Sequence, residues 1–260
     1  MNRDSPVTPD AWNRLREATP ARIALGRAGG SLPTREWLDF KAAHAAARDA
    51  VHIAFDADSL TGEIAELGAA TVIVDSSAPD RFTYLQRPDL GRCLAPASQQ
   101  RLEALARPDA APDLAVITSD GLSALAAQRH AAPLLAALLP SLAADSWRLT
   151  PIVIARFGRV ALEDEIGQLL GAQLALMIIG ERPGLGSPDS LGAYLVFDPR
   201  VGNTDAHRNC VSNIRPEGLP PAVAADTLHF LLTEARRRRL SGALLKDERS
   251  LPRPERAALP

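Results

Sequence analysis

Beyond residue 110 the chain alternates short apolar runs with amphipathic stretches. "LAVITSDG" (114–121), "PIVIARFGRV" (151–160) and "LALMII" (174–179) have the length and bounding of strands buried on both faces, and "GAYLVFDP" (192–199) predicts a fourth. Between them, "LSALAAQRHAAPLLAALL" predicts a helix that Pro133 kinks or divides. In "ALEDEIGQLLGA", Leu162, Ile166, Leu169 and Leu170 share one helical face, and Gly171 suits a C-terminal cap. After "NCVSNI", a long amphipathic helix, "PAVAADTLHFLLTEARRRRLSG", closes the chain. Strands alternating with helices argue for an α/β fold, a Rossmann-like, mostly parallel sheet with helices on both faces.

The first hundred or so residues read as mainly helical. After Pro33 and an N-cap at Thr34, residues Trp37, Phe40, His44, Ala47 and Val51 recur at spacings of three and four, the mark of one helix face. His44 on that stripe reads as a packed or interface histidine, because no second ligand stands at metal-binding spacing beside it. A short strand, "ATVIVDS", follows near residue 70, and "TYLQRPDLGRCL" reads as a loop leading into another helix. The proline-flanked "ARPDAAPD" (106–113) is the expected boundary between an N-terminal mainly helical region, 1–110, and an α/β domain, 111–260.

In this arrangement Ser119-Asp120, Gly158-Arg159-Val160 and Gly180-Glu181-Arg182 all emerge at one sheet edge, where α/β folds bind ligands. The last opens a polar loop, "GERPGLGSPDS", rich in glycine and proline. It fails the dinucleotide pattern at its third glycine, and the chain holds no Walker loop. Taken alone, its glycines and prolines need only turn the chain. Glu163, Asp164 and Glu165 fall in a first helical turn, where carboxylates favour the helix dipole and face water. The run Arg236 to Arg239 lies near a helix C-terminus and reads as a solvated or subunit-facing surface. No HExxH, GxSxG, EF-hand loop or Cys/His cluster occurs, and no nucleophile has a base beside it. The chain reads as a holder whose reactive groups come from elsewhere, with no catalytic and no metal-ligating residue of its own. "DAHRNC" (205–210) nearly matches the D-x-H-x-x-G signature of histidine-ligated cobalamin, with Cys210 where glycine belongs.

Composition narrows the partners. A net charge of -2 argues against nucleic acid, which demands an excess of Lys and Arg. No apolar stretch approaches the roughly 20 residues that cross a bilayer, and the N-terminus lacks the apolar core of an export signal. The two cysteines, Cys93 and Cys210, form no CxxC pair, which points to a reduced cytoplasm.

Six stretches taken together are specific: "TPARIALGRAGGSLPTREWLDFKAAHAAARDAVH", "YLQRPDLGRCL", "VITSDGLSALA", "FGRVALEDEIGQLLGA", "IIGERPGLGSPDSLGAYLVFDPR" and "RNCVSNIRPEGL". In order and spacing, from about Trp12 to about Lys246, they resemble the small (light) subunit of ethanolamine ammonia-lyase. The resemblance implies an adenosylcobalamin-dependent enzyme that turns ethanolamine into acetaldehyde and ammonia. It also implies a hetero-oligomer, in which a TIM-barrel large subunit binds ethanolamine and cobalamin lies between barrel and small subunit. By motif match, the cofactor-binding positions are Val160 of "GRV", Glu181 of "GERP" and Cys210 of "NCVSN". Val160 would offer an apolar surface, Glu181 would accept hydrogen bonds from amide or ribose groups, and Cys210 would serve as a small, unreactive filler. The plainer roles are core for Val160, an arginine partner for Glu181 and a buried hydrophobe for Cys210. The family binds cobalamin with its own base on the metal, so His207 is expected off the cobalt. Some members carry an N-terminal extension that directs them to a bacterial microcompartment; this chain begins only about ten residues before the shared region, and plain cytoplasm is the expectation. A reading from another class is a non-catalytic Rossmann-like nucleotide-binding or assembly protein.

Overall fold

The computed structural model describes residues 6–106 and 111–249. Its centre is a six-stranded sheet: β1 (Thr71–Asp75), β2 (Leu114–Ser119), β3 (Ile152–Arg156), β4 (Leu174–Gly180), β5 (Leu191–Phe197) and β6 (Arg208–Ile214), in the spatial order β1-β3-β2-β4-β5-β6. The first four lie parallel, and β5 and β6 run antiparallel to their neighbours. Every residue of β2 and β4 is buried, as the unbroken apolar runs require of strands covered on both faces. The "NCVSNI" stretch is not a link but most of β6. Its burial is patchy, with Arg208, Val211 and Ile214 inside and the residues between them partly or fully exposed, so an edge strand left no apolar run to read.

β1 pairs with β3 from Thr71 opposite Ile152 to Asp75 opposite Arg156, so the first region contributes a strand to the same sheet. Of the boundary expected at 106–113, residues 107–110 lie outside the described residues.

Helices cover both faces: α1 (Thr34–His52), α2 (Ala57–Glu66), α3 (Arg81–Gln86), α4 (Pro96–Glu103), α5 (Ala124–Ala144), α6 (Leu162–Leu170) and α7 (Pro221–Arg238). Leu60 of α2, Leu135 of α5 and Leu228 of α7 belong to the core that also holds Val116, Ile154 and Leu176. Leu102 of α4 and Ile166 of α6 belong to the opposite layer with Ile117, Val153 and Met177. Successive strand residues thus feed opposite cores. Gly171 caps α6 in the left-handed conformation, as its position predicts. Pro133 does not divide α5, which runs through both Pro133 and Pro140; both face solvent, where water satisfies the carbonyls they leave unpaired. The stretch "TYLQRPDLGRCL" is also more ordered than a loop, holding most of α3 and a 3-10 turn at Leu90–Arg92. α3 buries only Tyr84, which leaves too little periodicity to detect, and Asp80 starts it by accepting from the Thr83 amide at 2.7 Å.

α1 buries only Ala50. Its aromatic stripe lies largely outside the core, with Trp37 stacked on Phe40 and Phe40 on His44 at centroid distances of 5.7 and 6.4 Å. Pro33, not Thr34, occupies its N-cap. Among the described residues, no helix is long and apolar enough to cross a membrane.

Candidate functional site

The carboxyl ends of β2, β3 and β4 meet as the sequence predicts, and glycine makes the meeting possible. A Cβ on Gly121 would run into the Gly180 carbonyl, and one on Gly180 would run into the Ser123 carbonyl. Gly121 also has a φ of +53°, and the Leu122 amide donates to Gly180 O at 2.9 Å. The turn after β3 is held from two sides. Gly158 N donates to Ser119 Oγ at 3.0 Å, and the buried Tyr84 hydroxyl donates to Gly158 O at 3.0 Å.

Asp120 is the knot of this edge. Its buried carboxylate accepts from Phe157 N at 2.7 Å, from Ser119 Oγ at 3.2 Å and from Arg81 Nη1 at 3.0 Å. Phe157 sits at φ +57°, an uncommon conformation for a non-glycine residue, and the bond to Asp120 helps hold it there. Burial pushes the Asp120 pKa up to about 6, with Arg81 pulling the other way. Arg81 also donates to Gly121 O, Leu122 O and Val51 O at 2.6, 3.0 and 2.7 Å, which ties α1 and α3 to the β2 turn.

These turns enclose a crevice of about 370 Å³ lined by Tyr84, Gly121, Leu122, Arg159, Val160, Ile179, Gly180, Glu181, Arg182 and Tyr194. Val160 and Glu181, 21 residues apart in sequence, therefore line one crevice. Cys210 is not in the lining. It stands opposite Tyr194 in the β5–β6 register and is exposed. Desolvation pushes the thiol pKa up, so the group stays protonated at neutral pH.

Glu181 has hydroxyl and amide partners, not the arginine of its plainer role. Its Oε1 accepts from Ser212 Oγ at 2.5 Å, and its Oε2 accepts from Ser190 Oγ and from Asn213 N at 3.2 Å. Glu181 N also donates to Ser190 O at 2.9 Å, closing the neck of the glycine-rich loop. Farther along, Ser123 Oγ donates to Pro188 O at 2.9 Å and Arg129 pairs with Asp189 at 2.9 Å. The loop is a cinched wall element that fixes its own carboxylate at the crevice.

The acidic cluster on α6 does not face water. Glu163 and Asp164 are buried against Arg208, whose Nε donates to Glu163 Oε1 at 2.8 Å and whose Nη2 donates to Asp164 Oδ2. Burial raises both carboxyl pKa values, with Arg208 opposing. The cation lies more than forty residues away in sequence, out of reach of any local pattern. Glu165 accepts from Leu94 N at 2.7 Å and Gln99 Nε2 at 2.6 Å. His207 is exposed, and its Nδ1 accepts from Thr204 N at 3.0 Å. Of the basic run, Arg236 stacks over Trp147 at 4.0 Å and Arg237 pairs with Glu234 at 2.6 Å. Residue patterns did not single out Tyr84, Arg81 or Tyr194. Arg81 lies just before the stretch read as loop and Tyr84 within it, and "YLQRPDLGR" was a signal only as part of a family motif. Among the described residues, no group of three or more His, Cys, Asp or Glu could hold a metal ion.

The chain is an α/β protein with a crevice at the carboxyl ends of its parallel strands, the place where such sheets bind ligands. The family described as "Ethanolamine ammonia-lyase light chain (EutC)" matches residues 9–246, and the chain belongs to it. The chain is 55% identical over 254 residues to the ethanolamine ammonia-lyase small subunit of Azotobacter vinelandii, covering 97% of this chain and 94% of that protein. It is 54% identical over 250 residues to the protein of the same name from Pseudomonas syringae pv. tomato, covering 96% and 87%. The Ralstonia nicotianae small subunit is 54% identical over 247 residues, covering 95% and 92%.

Proposed function

We propose that this chain is the small subunit of an adenosylcobalamin-dependent ethanolamine ammonia-lyase, and that its crevice holds the nucleotide side of cobalamin against a large catalytic subunit. The assembly would convert ethanolamine to acetaldehyde and ammonia. The observation that carries this reading is the convergence of Val160 and Glu181 on one crevice, with Cys210 the strand partner of Tyr194, which also lines it. A crevice of about 370 Å³ is smaller than a corrinoid, so it fits one edge of the cofactor and leaves the rest to a facing protein.

The residues fit that group. Val160 is partly buried against the core below the crevice and adds an apolar side chain to its lining. Glu181 is oriented by three donors of its own chain and keeps lone-pair capacity on Oε1 for an amide or ribose donor. Cys210 is small and protonated, so it adds bulk without reacting. When bound, cobalamin supplies homolysis of its cobalt–carbon bond, and this chain's contribution is binding and orientation. A cytoplasmic location accords with the two free, exposed cysteines.

The test is retention. Purified with its large subunit and adenosylcobalamin, the complex should carry the corrinoid absorption through gel filtration. A colourless complex would return the crevice to the class of other nucleotide holders. Glu181→Ala should weaken retention about tenfold to hundredfold, the effect of about 1.5 to 3 kcal/mol for a hydrogen bond to a charged group.

A further inference from the structure

Arg159 stands out among the crevice residues because its charge is not answered. Its backbone amide donates to Gly91 O at 2.7 Å, and its Nη2 donates to Tyr84 O at 3.1 Å. The guanidinium lies over the Tyr84 ring, 4.1 Å from its centroid. Its Nε is buried without a hydrogen-bond partner, and no carboxylate lies within ion-pair distance of it among the described residues. The neighbouring carboxylates are turned to other partners: Asp120 to Arg81, and Glu181 to Ser190, Ser212 and Asn213, and neither forms an ion pair with Arg159. Arg182, on the same crevice, is exposed and likewise forms no ion pair among the described residues. The wall is therefore cationic, with one guanidinium already rigid.

A partly buried cation without a counter-charge is costly to maintain, and a stacked, braced guanidinium matches the geometry of a phosphate oxygen pair. The peripheral groups of a corrin ring are neutral amides. The anionic group of a bound cobalamin is the phosphodiester in the chain that links the ring to its nucleotide base. We infer that Arg159 is the phosphate anchor of the cofactor site, with Arg182 adding long-range attraction. This rests on the cofactor reading above and specifies which part of the cofactor meets which wall.

Three probes separate the possibilities in the complex with the large subunit: adenosylcobalamin, adenosylcobinamide phosphate, which lacks the base, and adenosylcobinamide, which lacks both base and phosphate. Arg159→Gln should lower affinity for the first two by about tenfold or more and leave the third unchanged. Arg159→Lys, which keeps the charge but not the stacked fork, should fall between. Because Arg159 also braces Tyr84, the wild-type complex provides an independent arm: rising ionic strength should weaken the two phosphate-bearing probes more than adenosylcobinamide. An equal loss for all three probes would make Arg159 a brace only, a loss confined to adenosylcobalamin would assign it to the base, and equal salt dependence would also count against the anchor. A wild-type complex that retains none of the three would remove the cofactor reading itself, and this inference with it.

Discussion

Asp120 carries a charge in a place that disfavours it. Its pKa rises from 3.8 to about 6 on folding, so the native state binds the proton more tightly than the unfolded chain does. Its contribution to stability is fully present below about pH 4 and is lost as pH rises through about 6. Denaturation of wild type and Asp120→Asn at pH 5 and pH 7 should therefore show a stability difference, wild type minus variant, that is more favourable to wild type at pH 5. A difference independent of pH would mean that Asp120 ionises in the fold as it does in solution. Gly192 makes a second residue-level case, because a Cβ there would lie 2.9 Å from Glu181 Oε1. Gly192→Ala should displace the carboxylate and weaken corrinoid retention with little change in melting temperature, whereas unaltered retention would free Glu181 from any positional role. Neither environment was legible locally: the sequence put Asp120 at the sheet edge without its partners, and Gly192 in a strand.

At the scale of elements, Arg208 joins the first turn of α6 to the start of β6. That turn follows directly on Val160, and Cys210 lies two residues beyond Arg208, so the clamp spaces two of the three proposed cofactor positions. Arg208→Ala leaves Glu163 and Asp164 buried without their cation and should cost about 3–5 kcal/mol, the range for breaking a buried pair from one side. Urea denaturation at neutral pH measures it; a loss below about 1 kcal/mol would show that water or rearrangement replaces the arginine. A parallel-sheet core and capped helices explain why α5 and α6 were predictable from periodicity. α3 and β6 were not, because each buries too few residues to leave a repeat.

For the whole molecule, the carboxylate that lines the crevice, Glu181, is tied to structural partners. The isolated chain should release no ammonia from ethanolamine in the presence of adenosylcobalamin, and activity should appear on mixing with the large subunit. Turnover by the isolated chain would place catalytic chemistry in this subunit after all.

The alternation of apolar runs and amphipathic stretches was enough to determine an α/β sheet with β2, β3 and β4 in register to present their turns together, since burial on both faces permits few other arrangements. Six motifs in order were enough to determine the family. Only the tertiary structure decided which charges are answered. It buried Glu163 and Asp164 because Arg208 arrives from another strand, gave Glu181 three donors from a loop and from β6, and left Arg159 stacked on Tyr84 without a counter-charge. Electrostatic partners are set by distances in space, and a chain that folds back across forty residues places them where no spacing along the sequence can show them.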